Sequence, residues 1–158
     1  MDSLLIVGEG PVADALAPMA GLLGWQATVA TTLDESLAAL PDARAVVVTS
    51  HDLDVAGPSL AAALGSDVVY VGGMGSRKPQ ASRSGYLTEH GVSETEQARV
   101  HGPAGLDIGA DGPSEIALSI LAELVATVRG RAGAGSLKDR EGPIHPELGP
   151  GEAFCPTG

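Results

Sequence analysis

A five-residue apolar run, Ser3-Leu4-Leu5-Ile6-Val7, stops at Gly8-Glu9-Gly10 and gives way to an amphipathic stretch. This junction constrains the fold more than any other part of the chain. The run is too short for a helix and reads as a buried strand. From Val12 onward, apolar and small residues fall at Val12, Ala13, Leu16, Ala17, Ala20 and Leu23, the stripe of an amphipathic helix that Gly24 ends. Strand, glycine turn and helix in that order are the opening of a βαβ unit.

The alternation continues. Strands are expected at Gln26 to Thr31, Ala45 to Thr49, Asp67 to Gly72 and Arg99 to His101. Between them, helices are expected around Glu35 to Leu40, ended by Pro41, from Pro58 to about Leu64, and over Lys78 to His90. The last helix has the best-marked start: Gly112 at the N-cap, Pro113 first and Glu115 third, ahead of the stripe Ile116, Ala117, Ile120, Leu121, Leu124, Val125 and Val128. Alternating elements of this kind predict an α/β fold: a Rossmann-like, doubly wound, mostly parallel sheet of about five strands with helices on both faces. At 158 residues the chain holds one such domain, over residues 1–130, and a Gly/Pro-rich tail over 131–158. With 44% hydrophobic but only 3% aromatic residues, its core must be built from Ala, Val, Leu and Ile.

A net charge of -11 opposes nucleic acid and anionic membranes, and no apolar run approaches the roughly 20 residues of a membrane span. The single cysteine, Cys155, cannot form an intramolecular disulfide, and the first residues run straight into a strand without a leader pattern. A cytoplasmic protein is the simplest expectation. In so acidic a chain an anionic ligand must be captured locally, by backbone amides and helix N-termini.

Four loops converge on the carboxyl edge of the expected sheet, where open α/β sheets bind ligands. Gly8-x-Gly10-Pro11-x-Ala13 fits G-x-G-x-x-A: Gly8 for the tight turn, Gly10 for close approach of a phosphate, Pro11 at the helix start and Ala13 for close packing. The acid that would hold a ribose after the second strand is replaced by Thr31 and Thr32, and no arginine stands there for a 2′-phosphate. Ser50-His51-Asp52 follows the third strand, either as a ligand-contacting rim or as an ordinary capped turn with His51 in solvent. His-x-x-Asp alone does not make a metal site. Gly72-Gly73-Met74-Gly75-Ser76-Arg77-Lys78 offers amides and two cations as an anion nest, or is a flexible basic loop. His101-Gly102-Pro103-Ala104-Gly105-Leu106-Asp107-Ile108-Gly109 is shaped by three glycines and a proline; His101 and Asp107 either belong to a ligand site or merely finish a strand and satisfy loop amides.

Taken together, Gly8-x-Gly10-Pro11-x-Ala13, Ser50-His51-Asp52, Tyr70-Val71-Gly72-x-Met74-Gly75-Ser76-Arg77 and above all His101 to Gly109 leading to Pro113-x-Glu115-Ile116-Ala117 resemble the C-terminal Rossmann domain of the xanthine dehydrogenase accessory factors, the XdhC/CoxI family. Gly142-Pro143-Ile144-His145-Pro146 is similar to the family's ending, so the likeness covers nearly the whole chain. Many members read Gly-Ser-Arg-Arg-Thr-His where this chain has Gly75-Ser76-Arg77-Lys78-Pro79-Gln80, and members commonly carry a preceding cysteine-bearing domain, whereas this sequence starts at the Rossmann strand.

The resemblance implies a maturation factor that binds the molybdenum cofactor (molybdopterin), shields it during sulfuration and delivers it to a molybdenum hydroxylase. Its partners would be that client and a sulfur-donating desulfurase, with homo-oligomers also open. Two alternatives stand beside it: a small NAD(P)-type oxidoreductase using His51 or His101 as acid or base, and a scaffold that no longer binds a ligand.

Overall fold

The computed structural model describes residues 2–131 and 133–147. Its elements are β1 (Ser3–Val7), α1 (Pro11–Leu22), β2 (Gln26–Ala30), α2 (Leu33–Ala39), β3 (Ala45–Val48), α3 (Leu53–Leu64), β4 (Tyr70–Gly73), α4 (Arg77–Glu89), α5 (Glu94–Gln97), β5 (Val100–His101) and α6 (Pro113–Val128). The five strands form one sheet in the order β2-β1-β3-β4-β5. Every pairing is parallel, as the alternation predicts.

Helices cover both faces, and two apolar clusters record the division. On one face α1 and α6 pack through Ala13, Leu16, Ala20, Ala117, Ile120 and Leu124 against Leu4, Ile6 and Val47. On the other, Ala56, Leu60, Ala63 and Leu64 of α3 and Leu87 of α4 meet Leu5, Val7, Val46 and Val48. Ala13 and Ala117 are almost wholly buried, which lets α1 and α6 lie close together.

Two boundaries depart from the sequence pattern. Pro58 does not open α3; the helix starts at Leu53, because the Asp52 carboxylate accepts from the Asp54 N–H and caps it. Pro58 is tolerated inside because the helical bond it deletes belongs to the carbonyl of Asp54, an exposed residue that water reaches. Strand β4 begins at Tyr70 rather than Asp67, where its ladder with β3 starts at Ala45. The short helix α5 has no counterpart among the expected elements, although Ser93-x-x-Glu96 forms a capping box at its start.

A second capping box, Thr32 with Glu35, begins α2. Glu35 Oε2 accepts from the N–H groups of Thr31 and Thr32 at 2.8 and 3.3 Å, and Glu35 N donates to Thr32 Oγ1 at 3.2 Å. The Thr31 N–H bond, followed by that from Thr32, holds the Glu35 carboxyl below its ordinary pKa. A depressed carboxyl pKa stabilises the fold fully above the unfolded value and stops doing so as pH falls through the folded one. Thr32→Ala is expected to cost about 1 kcal/mol in urea denaturation at neutral pH. Glu35→Gln should be less stable than the parent at neutral pH, and the two curves should converge in acid below the depressed pKa.

Candidate functional site

With all strands parallel, the loops after β1, β3, β4 and β5 leave from one edge. The chain departs from β1 and β3 in opposite directions, so their carboxyl ends form the switch point at which sheets of this strand order usually bind ligands. The two turns there touch. Gly8 has φ 131°, and a Cβ on it would stand 2.4 Å from Thr49 Oγ1 and 2.5 Å from Ser50 N. The amides of Thr49 and Ser50 both donate to Val7 O, at 2.8 and 3.0 Å, and Gly8 N donates to Ala30 O at 2.8 Å. Only glycine fits this turn.

Gly10, by contrast, is open: a Cβ there would meet nothing within 4 Å, though its φ of 114° disfavours any side chain. It is the N-cap of α1, with no side-chain cap and with Pro11 at the first position. The amides of the first helical turn therefore lack the partner that a Ser or Asp cap supplies, and the helix dipole favours an anion there. Ala13 lies in the core directly behind, the close-packing role its position predicts.

In the β3 turn, His51 is exposed, while Asp52 spends its carboxylate on the α3 cap. In the β4 turn, Gly72 lies within the strand, where a Cβ would collide with the Tyr70 ring at 2.8 Å. Gly75, at φ 130°, makes the turn, and Ser76 is the N-cap of α4 without a side-chain cap bond, leading to exposed Arg77.

Two side chains of α4 hold these turns together: Arg83, which the sequence reading passed over, and Gln80, which it noted only as a departure from the family pattern. Arg83 is 4% exposed, with Nη1 donating to Met74 O at 2.6 Å and Nη2 to Ser50 O at 3.0 Å. Burial lowers its pKa, yet guanidinium stays protonated in proteins, and no carboxylate pairs with it among the described residues. Gln80 Nε2 donates to Gly73 O at 2.8 Å and Gly75 O at 3.0 Å. The available signal was spacing: Arg83 stands one helical turn before Leu87, on the face that meets the sheet.

The β5 loop is anchored differently. A Cβ on Gly102 would be 2.4 Å from Gln80 Oε1, and one on Gly105, at φ 116°, 2.5 Å from Ser119 Oγ. The Gly102-Pro103 bond is cis. Ala104 N donates to Gly73 O at 3.0 Å and Leu106 N to Ser119 O at 3.1 Å. Glu123 of α6, which the sequence reading also passed over, accepts on one oxygen from Tyr70 OH at 2.7 Å and from Gly105 N at 3.0 Å. His101 Nδ1 faces the same oxygen at 3.3 Å, its ring stacked on Tyr70 with centroids 4.7 Å apart. Burial first, then the Glu123 bond, raises the Tyr70 pKa far above its usual value, so the phenol stays neutral. Pro103 and Asp107 are exposed.

The turns after β1, β3 and β4 are therefore joined by direct contacts, and the β5 loop joins the β4 turn through Ala104 and through Gln80 beside Gly102, while β5 itself lies three strand spacings from β1, roughly 14 Å across the sheet. A cavity of about 970 Å³ lies elsewhere, between α1, α6 and the segment after α6, lined by Leu22, Leu23, Leu118, Val125, Leu137 and Ile144. That segment has more form than its composition suggests: residues Leu137–Asp139 make a 3-10 turn, and Arg131 and Arg140 donate to Ile144 O, each at 3.2 Å. The rest of the tail, with Cys155, is outside the described residues. Among the described residues no three of His, Cys, Asp and Glu gather as a metal would require, and no helix is long and apolar enough to cross a membrane.

Residues 4–124 match the family described as the XdhC Rossmann domain. The chain is 34% identical over 127 residues to the molybdenum cofactor insertion chaperone PaoD of Escherichia coli K12, covering 80% of this chain and 40% of that protein. It is 31% identical over 167 residues to the uncharacterized protein YqeB of the same organism, covering 90% of this chain and 30% of that one. A crystal structure described as a xanthine dehydrogenase from Bacillus halodurans superposes with a TM-score of 0.62 at 25% identity, over 86% of this chain and 45% of the other. The chain spans less than half the length of each of these relatives.

Arg83→Met keeps the length and apolar stem but removes both charge-assisted bonds to Ser50 O and Met74 O. A loss of about 2–4 kcal/mol is expected in chemical denaturation, with Arg83→Lys between the two. Equal stability of Arg83→Met and the parent would show that the guanidinium does not hold the turns.

Proposed function

The chain belongs to the XdhC Rossmann-domain family, and from that premise we propose that it binds the molybdenum cofactor at the carboxyl edge of its sheet and serves the maturation of a molybdenum hydroxylase. One observation carries the binding reading: α1 opens without a side-chain cap behind Gly10, where no side chain obstructs approach. The residues fit the phosphate of molybdopterin. Amides behind Gly10 would hold it, those behind Gly75 and Ser76 offer a second uncapped helix start, and buried Arg83 gives the edge a positive charge in an otherwise acidic chain.

The molybdenum chemistry belongs to the cofactor. The chain's own work is to bind, orient and shield it: the glycine turns admit the phosphate, while His51, Arg77 and Asp107 stand exposed around them. No residue is given a catalytic role. PaoD is named as an insertion chaperone, which supports delivery to a client enzyme, with a desulfurase as sulfur donor before transfer.

The NAD(P)-type oxidoreductase remains the second reading because of Glu35. Its carboxylate folds back to the end of β2, close to where a ribose acid would stand. That oxygen, however, is already engaged by the amides of Thr31 and Thr32, so the expected affinity for either dinucleotide is poor.

Two measurements decide between them. Native mass spectrometry of the chain purified from its own host should show a retained mass equal to a molybdopterin-type cofactor, and a retained dinucleotide instead would overturn the proposal. Calorimetry with NAD and NADP should give dissociation constants well above about 10 μM, weaker than roughly 7 kcal/mol of binding; tighter binding of either would favour the oxidoreductase.

A further inference from the structure

We propose that the cavity between α1, α6 and the segment after α6 is a second ligand site, built for a free aliphatic carboxylate: a flexible apolar tail with one anionic head. It lies apart from the carboxyl edge, because α1 begins at that edge and the cavity takes in Leu22 and Leu23 at the helix's far end. The inference does not depend on what the carboxyl edge binds.

Apolar side chains on a surface are ordinary when scattered and informative when they gather. Leu22 is 89% exposed, Leu118 50%, Leu137 61% and Ile144 59%, and all four line one space of about 970 Å³. That volume falls within the range of small-molecule sites, roughly 300–1,000 Å³. Its walls come from three elements, with α1 and α6 on one side and the segment carrying Leu137 and Ile144 on the other. Such walls favour a ligand that enters between them over one that lies on a surface. An aliphatic tail placed there would take this apolar lining out of water.

The cations of the lining gather at one end. Arg131 Nη2 and Arg140 Nη1 both donate to Ile144 O, each at 3.2 Å, which brings the two guanidinium groups together, and Arg129 at the C-cap of α6 stands just before Arg131. Leu118 lies about three turns before Arg129 on that helix, roughly 16 Å along its axis. The carboxylate among the lining residues, Glu147, is 3.4 Å from Arg131 and 3.0 Å from His145 Nδ1. Among the described residues, Arg140 is then bonded only to the carbonyls of Ile144 and Pro143, and the Arg129 guanidinium has no partner. Three arginines against one carboxylate make this end positive in a chain of net charge -11. Arginine takes a carboxylate by two parallel hydrogen bonds, so an anionic head complements this end as a tail complements the rest.

The test is calorimetric titration of the delipidated full chain with octanoate, decanoate and dodecanoate, each below its micelle concentration. Binding should saturate at one molecule per chain and tighten roughly fourfold for each added methylene. Decanol, the same tail without the charge, should bind about tenfold more weakly than decanoate, or weaker still. Leu118→Glu, at an exposed position that the fold tolerates, should abolish binding of both. Arg129→Glu should weaken decanoate by about tenfold and leave decanol unchanged. Ile108→Glu, an exposed change outside the cavity, should alter neither. No saturable binding, equal affinity for decanol and decanoate, or indifference to Leu118→Glu or Arg129→Glu would each overturn the proposal. A dimer in sedimentation that Leu118→Glu splits would overturn it in favour of a second copy of the chain as the occupant.

Discussion

The ladder of parallel hydrogen bonds through β1, β3 and β4 is the constraint on which the rest of the molecule depends. Leu4 to Val7 and Ala45 to Val48 are buried on both faces, so their backbone groups are satisfied only by neighbouring strands. Burial on both faces demands helices on both sides, and parallel pairing demands that each helix carry the chain back to the starting edge. The outcome is spatial: every strand ends where every other ends. The carboxyl edge collects all five loops because the sheet leaves no alternative.

What keeps those loops from splaying is polar. Arg83 ties the carbonyl of Ser50 to that of Met74, Gln80 spans Gly73 and Gly75, and Glu123 gathers Tyr70, Gly105 and His101. Each of the three reaches in from a helix to loop or strand groups that no ladder serves. Buried groups so satisfied favour one arrangement over its neighbours, since any other would leave a donor or acceptor unpaired. The glycines complete this arrangement at close approaches, as at Gly8 against the Ser50 backbone and Gly105 against the Ser119 side chain.

These two layers differ in how far they can be read from residues alone. Strands such as Ser3–Val7 and the helix Pro113–Val128 declare themselves through run length, period and start signals, and the expected strand order of a doubly wound fold follows from their alternation. The glycine turns are equally plain. The ties are not, because a buried arginine looks like a surface one until its partners are known, and those partners are backbone carbonyls far along the chain. Glu123 is hidden for the same reason: its position on α6 borders the apolar stripe, and only the folded loop brings Gly105 to it. Pro58 misleads because proline favours a helix start, whereas here the Asp52 cap sets the boundary earlier. The neighbourhood of the β1, β3 and β4 turns was thus visible in outline, and the packing of His101 against Tyr70 and Glu123 was not.

The placement of one charge has a kinetic side. The chain carries a net charge of -11, so an approaching anion meets repulsion first, over a range set by the ion atmosphere, about 8 Å at physiological salt. The guanidinium of Arg83 lies inside, shielded from that atmosphere, and acts only after the anion has crossed the outer field. For the anionic ligand proposed at this edge, added salt would thin the barrier while leaving the interior attraction nearly intact, so its association would quicken with ionic strength, opposite in sign to capture by a basic surface.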